Sequence, residues 1–149
     1  MEITSVNNDL VKETTKLQQR KFRDERGLFL LEGFKAIEEW HALGQKFENV
    51  FVLKGKEARY HFVTENLITT TEAILKKIST TDSAPEAVGV ARVKNFDINI
   101  LKNAHKVLLL EGIKDAGNLG TILRSATAFD VDAVILYGNC VDIYNPKCV

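Results

Sequence analysis

The sequence predicts an α/β protein in two parts, a small layered domain over residues 1–93 and a β-α-β unit within residues 105–149. Strand-like and helix-like segments alternate through the first part, which is typical of α/β layers. A polar stretch then interrupts the pattern, and an apolar run, a helical segment and a second apolar run follow it. We therefore predict a linker at residues 94–104.

The first part opens with a predicted helix from Asn8 to Arg23, which Gly27 ends. The apolar run at residues 28–31 suits a buried strand, and apolar side chains at helical spacing predict a second helix over residues 34–43. Further segments follow in order: strands at residues 50–53 and 60–63, a helix at 72–78, a loop at 79–85 and a strand at 87–93.

The second part begins with a predicted strand at residues 106–110. Its Val-Leu-Leu-Leu run is typical of parallel strands that are buried on both faces. A helix over residues 119–129 and a strand over residues 133–137 complete one β-α-β unit. We therefore expect the two strands to be parallel.

Composition restricts the kinds of partner. Lysine and arginine number 20, aspartate and glutamate also 20, so no global charge attracts nucleic acid or a membrane. Any RNA binding must come from a local basic patch. Cys140 and Cys148 have neither disulfide-framework nor zinc-site spacing, so we expect reduced thiols and no metal. The sequence has no apolar run long enough for a signal peptide or membrane span, and we expect a cytoplasmic protein.

One face of the first predicted helix is basic. Helical spacing places Lys12, Lys16, Arg20 and Arg23 on the side opposite to its leucines. These four side chains are our candidate RNA-binding residues. The alternative is a solvated helix face that binds nothing.

The segment between the strand at 106–110 and the following helix carries the second candidate site. Gly117 and Gly120 permit close backbone approach, and a helix N-terminus at the carboxyl end of a parallel strand favours ligands. Arg124 follows Gly120 by one helical turn and could reach back over the loop. On these residues alone, a phosphate or nucleotide site and a purely structural turn both stay open.

A family resemblance sharpens this interpretation. Asn118, Gly120 and Arg124 match the N-x-G-x-x-x-R signature of the SpoU family in the SPOUT superfamily, within LLLEGIKDAGNLGTILRSATAFDVDAVIL. The segments ITSVNN, RKFRDERGLFLLEG and STTDSAP resemble the family's RNA substrate-binding domain, whose fold is like that of small RNA-binding ribosomal proteins. The resemblance implies a substrate-binding domain followed by the first part of an α/β-knot methyltransferase domain.

The resemblance also implies a chemistry. Family members transfer a methyl group from S-adenosylmethionine to a ribose 2′-hydroxyl of rRNA or tRNA and form homodimers. Arg124 and Asn118 match the catalytic positions, and we expect the arginine to stabilise charge rather than act as a base. The later cofactor-binding motifs of the family are expected beyond Val149, so we expect this chain alone neither to bind S-adenosylmethionine nor to methylate RNA.

Two other classes of protein are considered. The chain could be a noncatalytic RNA-binding module that works through residues 1–93. A nucleotide-binding enzyme unrelated to methyl transfer is less favoured, because no phosphate-binding lysine or ribose-binding acid stands at motif spacing.

Overall fold

The computed structural model describes residues 1–63 and 65–149. It divides into two compact units, Met1–Val93 and Lys94–Val149. Among the described residues no helix is long and apolar enough to cross a membrane, and the same residues hold no cluster of potential metal ligands.

The first unit contains five described strands and four α-helices. In chain order they are β1 (Glu2–Ile3), α1 (Asp9–Lys16), α2 (Arg20–Arg26), β2 (Leu28–Glu32), α3 (Phe34–Ala42), β3 (Phe47–Leu53), β4 (Leu67–Thr70), α4 (Glu72–Ile78) and β5 (Ala87–Arg92).

The strands form one mixed sheet in the order β1-β4-β3-β5-β2. The β1–β4 and β3–β4 pairs are parallel, whereas β5 is antiparallel to both β3 and β2. Helices α1 and α4 pack together on one face, where Val11, Ile74 and Phe51 belong to the main apolar core. Helix α3 contacts β2 and β5, and its Trp40 meets Phe29 edge to face at 5.2 Å.

The single helix predicted from Asn8 to Arg23 is wrong, because the chain turns at residues 17–19 between α1 and α2. Two side chains, those of Arg23 and Gln18, stabilise this corner by hydrogen bonds to backbone carbonyls. The guanidinium of Arg23 donates to the carbonyls of Leu17 and Gln18, both at 2.9 Å. The side-chain amide of Gln18 donates to the carbonyls of Lys77 and Ser79 beyond the corner. The carbonyls of Leu17 and Gln18 at the corner are thereby satisfied, and the corner is tied to the end of α4.

The predicted strand at residues 60–63 is also wrong. A 3₁₀ turn, Glu57–Tyr60, occupies the start of this segment, and the strand lies later, at Leu67–Thr70. Tyr60 is buried and its hydroxyl donates to the Glu86 carboxylate at 2.9 Å. Desolvation in this buried position, together with that carboxylate, raises the pKa of Tyr60.

The second unit contains β6 (Val107–Glu111), α5 (Ala116–Ala128) and β7 (Ala133–Tyr137), after a 3₁₀ turn at Ile98–Asn103. Strands β6 and β7 are parallel and pair Val107 with Ala133 through Glu111 with Tyr137, as the β-α-β pattern predicted. Helix α5 begins at Ala116, three residues earlier than predicted, so Gly117 and Asn118 lie in its first turn.

Strand β6 is not buried on both faces, contrary to our expectation. Leu110 and Leu136 pack with the α5 core residue Leu119. On the opposite face Leu109 and Tyr137 are 62% and 63% exposed. One helix covers one face of this two-stranded sheet, and the described residues leave the other face apolar and open.

Candidate acceptor-activating site and basic corner

The first turn of α5 is closed by its own cap. The Asp115 carboxylate accepts a hydrogen bond from the Asn118 backbone N–H at 2.7 Å, as an N-cap residue does. The Asp115 carboxylate therefore occupies the positive N-terminal end of α5, where a phosphate would otherwise bind. The N-terminus of α5 therefore does not favour the phosphate site that the sequence left open.

An open cleft of about 490 Å³ lies beside this turn, at the carboxyl end of β6. Its lining comes from the loop after β6 and from the exposed side of α5: Gly112, Ile113, Lys114, Asp115, Asn118, Thr121 and Ile122. Its volume falls in the range that suits small organic groups. The Lys114 ammonium is directed to the Asn139 carbonyl, to which it donates at 2.7 Å.

Arg124 extends back along α5 to Thr121, which lines the cleft. Its side chain is exposed, and its Nη2 donates to the Thr121 hydroxyl at 3.3 Å. That hydroxyl donates in turn to the Gly117 carbonyl at 2.9 Å. Thr121 lies between Asn118 and Arg124 along the helix surface and connects the arginine to the cleft lining. The sequence signature did not single out Thr121, because its role depends on one hydroxyl that bonds both Gly117 and Arg124.

A segment that is distant in sequence leaves no room for a side chain at residue 120. A Cβ at this position would lie 2.8 Å from the carbonyl oxygen of Cys148 and 3.3 Å from Nη1 of Arg124. The last residues of the chain therefore pack directly against the motif helix. The Cys148 thiol is buried there, and its desolvation raises its pKa.

Replacing Gly120 with alanine is expected to displace the segment around Cys148, because the contact is to backbone and cannot be relieved by a rotamer change. Such overpacking costs about 1–3 kcal/mol. We expect the Cys148 thiol to react faster with a disulfide reagent, measured by labelling followed by peptide mass spectrometry. Gly117→Ala is the matched control, since its Cβ would approach only the Asp115 side chain, at 3.2 Å. Unchanged Cys148 labelling in Gly120→Ala would contradict this role.

The four candidate RNA-binding residues do not share one surface. Lys12, Lys16 and Arg20 are 50%, 42% and 61% exposed and pair with neighbouring carboxylates. Arg23 is only 2% exposed, so its assignment to an RNA-binding face is wrong. Its guanidinium is directed inward because the carbonyls at the α1–α2 corner need donors.

Comparison with known proteins shows which families the two units resemble. The MRM3-like substrate binding domain matches residues 8–89, and the SpoU rRNA Methylase family matches residues 105–149. The chain belongs to the family of proteins with an MRM3-like substrate binding domain, and its residues 105–149 match the SpoU rRNA Methylase family.

Individual relatives agree with this assignment. The chain is 32% identical to the 23S rRNA (guanosine(2553)-2′-O)-methyltransferase RlmP of Bacillus subtilis, over 98% of this chain and 58% of that protein. It is also 32% identical to an uncharacterized tRNA/rRNA methyltransferase of Synechocystis, over 97% of this chain and 56% of that protein. The chain thus spans a little over half the length of these curated relatives.

Solved structures show the same fold. A crystal structure of an RNA 2′-O ribose methyltransferase superimposes with a TM-score of 0.80 at 32% identity, over 99% of this chain and 59% of that one. An AdoMet-bound rRNA methyltransferase from Sinorhizobium meliloti gives a TM-score of 0.85 at 26% identity, over 99% and 58% of the two chains.

Proposed function

We propose that this chain supplies the RNA-recognition domain and the acceptor-activating site of an RNA ribose 2′-O-methyltransferase. The observation that carries the proposal is the exposed Arg124 guanidinium, which Thr121 orients beside the open cleft at Asn118. The family assignment and the relatives that methylate rRNA support the same reaction. Residues 1–93 would bind the RNA, residues 94–104 would act as a linker, and residues 105–149 would present the acceptor-activating site.

The reaction needs negative charge to be stabilised on one oxygen. When bound, S-adenosylmethionine would supply the methyl group, and its S–CH3 bond would break to leave S-adenosylhomocysteine. The ribose 2′-hydroxyl would lose its proton to water as its oxygen is methylated. Arg124 stays cationic at any physiological pH, so it stabilises the developing oxyanion and orients the oxygen. Asn118 offers an amide at the same cleft to hydrogen-bond the ribose.

The described cleft fits the acceptor better than the cofactor. Asp115 is the carboxylate among its lining residues, and it already caps α5. A site for adenosyl and methionine groups needs polar groups that converge from several loops. We therefore assign Asn118, Thr121 and Arg124 to the ribose side and assign no cofactor-binding residue within residues 1–149.

Three properties of the whole enzyme stay predictions: an rRNA or tRNA substrate, a homodimer and a cytoplasmic location. The open apolar face of β6 and β7, with Leu109 and Tyr137 exposed, supports an interface with a second subunit. Light scattering on a polypeptide extended to the length of its relatives would test the homodimer.

Methyl transfer can be tested in the same extended polypeptide with tritiated S-adenosylmethionine and bulk rRNA and tRNA. We expect the label to appear in alkali-resistant dinucleotides, because a methylated 2′-oxygen cannot attack the adjacent phosphate. Label confined to alkali-sensitive mononucleotides would indicate base methylation and contradict the proposal.

A further inference from the structure

A half-buried aromatic ring lies among three cations at the α1–α2 corner. The Nζ atoms of Lys16 and Lys21 both lie 5.8 Å from the centroid of the Phe22 ring, and the guanidinium carbon of Arg26 lies at 5.9 Å. Phe22 is only partly buried although it is a large apolar side chain. A partly exposed ring that is surrounded by cations is the combination that single-stranded nucleic acid binds.

Two of these cations are held in place by one carboxylate. Glu13 accepts from the Lys16 ammonium at 2.6 Å through Oε1, and its Oε2 pairs with the guanidinium of Arg26. These two hydrogen bonds lower the pKa of Glu13, so it is charged at neutral pH. Glu13 therefore keeps both cations beside the ring instead of letting them extend into solvent.

Lys21 is held differently. Its side chain is exposed and, among the described residues, it pairs with no carboxylate. All three cations lie near the outer limit for a cation–π contact, about 6 Å, so each contact is weak, and Lys21 has no carboxylate partner within the described part of the chain to keep it there. A planar group could displace the lysine from the ring, and the flexible ammonium could then contact a neighbouring anion.

We propose that Phe22 is a stacking site for one unpaired nucleobase of RNA, with Lys21 contacting an adjacent phosphate and the Lys16–Glu13–Arg26 group flanking the ring. An aromatic face suits a base, and the cations suit its phosphates. Local charge supports this occupant: apart from the buried Arg23, five basic and four acidic side chains lie between Asp9 and Arg26, whereas the whole chain has equal numbers. This proposal rests on the RNA-recognition function that we assign above to the first unit. It specifies where the first unit contacts an unpaired nucleotide.

The test uses the 149-residue chain and an RNA hairpin that carries 2-aminopurine in its loop, with a fully paired duplex of similar length as comparison. We expect tighter binding of the hairpin and quenching of the 2-aminopurine, because stacking quenches its fluorescence. Phe22→Leu should weaken hairpin binding about tenfold, roughly 1.4 kcal/mol, and abolish the quenching. Phe22→Trp should preserve both, which separates stacking from a folding defect.

Phe96→Leu is the matched control. Phe96 is 62% exposed and has one lysine, Lys94, 5.5 Å from its ring, but it belongs to the second unit, whereas the proposed site belongs to the first. We expect its hairpin affinity to equal that of the unmodified chain. Lys21→Ala should lower the slope of log affinity against log salt concentration by about one, whereas Phe22→Leu should leave the slope unchanged.

The outcomes separate this proposal from the function on which it rests. A chain that binds hairpin RNA equally well with and without Phe22→Leu overturns the stacking site and leaves RNA recognition intact. Equal affinity for the paired duplex and the hairpin also overturns it. A chain that binds neither RNA, or that prefers an acidic peptide to the hairpin, overturns both.

Discussion

Replacing Arg124 with alanine is expected to lower the turnover number for RNA methylation by about 100-fold or more in the polypeptide extended to the length of its relatives. The exposed guanidinium donates to Thr121, which lines the cleft, whereas the lining cation Lys114 is directed to the Asn139 carbonyl. It would stabilise charge that forms only as the 2′-oxygen is methylated. Its loss should therefore reduce turnover and leave the affinity for S-adenosylmethionine nearly unchanged.

Two further variants make this test sharper. Arg124→Lys keeps the charge but loses the planar fork of donors, so we expect an intermediate loss. Thr121→Val keeps the side-chain shape but removes the hydroxyl that orients Arg124, so turnover should fall less than in Arg124→Ala. Turnover would be measured with tritiated cofactor and cofactor affinity by calorimetry. Near-normal turnover of Arg124→Ala would show that another group stabilises the oxyanion.

The second large effect is on stability. Arg23→Ala is expected to lower the free energy of unfolding by about 3 kcal/mol, because the carbonyls of Leu17 and Gln18 lose a charged donor. The truncation also leaves a cavity where a long buried side chain packed. Denaturant unfolding followed by circular dichroism would measure the change.

Arg20→Ala is the matched control for this prediction. Arg20 lies on the same helix, is 61% exposed and pairs with Asp24 at 3.4 Å. An exposed pair of this kind contributes about 0.5 kcal/mol, so the variant should unfold almost like the unmodified chain. Equal destabilisation by the two substitutions would contradict the corner-capping role of Arg23.

The sequence predicted those parts of the fold whose patterns are local. The strand at residues 133–137 has the predicted bounds, and the helix at 72–78 also matches, because their apolar periods and flanking residues determine them. Arg23 shows where the same reasoning fails. A helical projection assumes a continuous helix, but the corner at residues 17–19 carries no glycine or proline, and its side-chain donors come from Arg23 and from Gln18, which reaches α4.

The candidate site was predictable to a similar degree. Asn118, Gly120 and Arg124 stand out because they match the SpoU signature. In the structure Asn118 lines the cleft, and Arg124 hydrogen-bonds to Thr121, which also lines it. The role of Thr121 depends on a hydroxyl that two partners share, which no spacing rule identifies. The sequence did not predict the cluster of cations around Phe22, because Lys16 and Arg26 are ten residues apart and come together only across the α1–α2 corner.

The contact between Gly120 and Cys148 changes how the signature itself is understood. The sequence led us to expect close backbone approach at Gly120, and Gly120 lies in an ordinary helical turn where its φ is not positive. What the missing side chain provides is a crossing point, where a segment 28 residues further along passes within contact distance of the helix backbone. The residues of the motif therefore reflect the packing of a distant segment as well as the chemistry of the site. In a series of substitutions at residue 120, the free energy of unfolding should already fall with alanine, although alanine has the highest helix propensity.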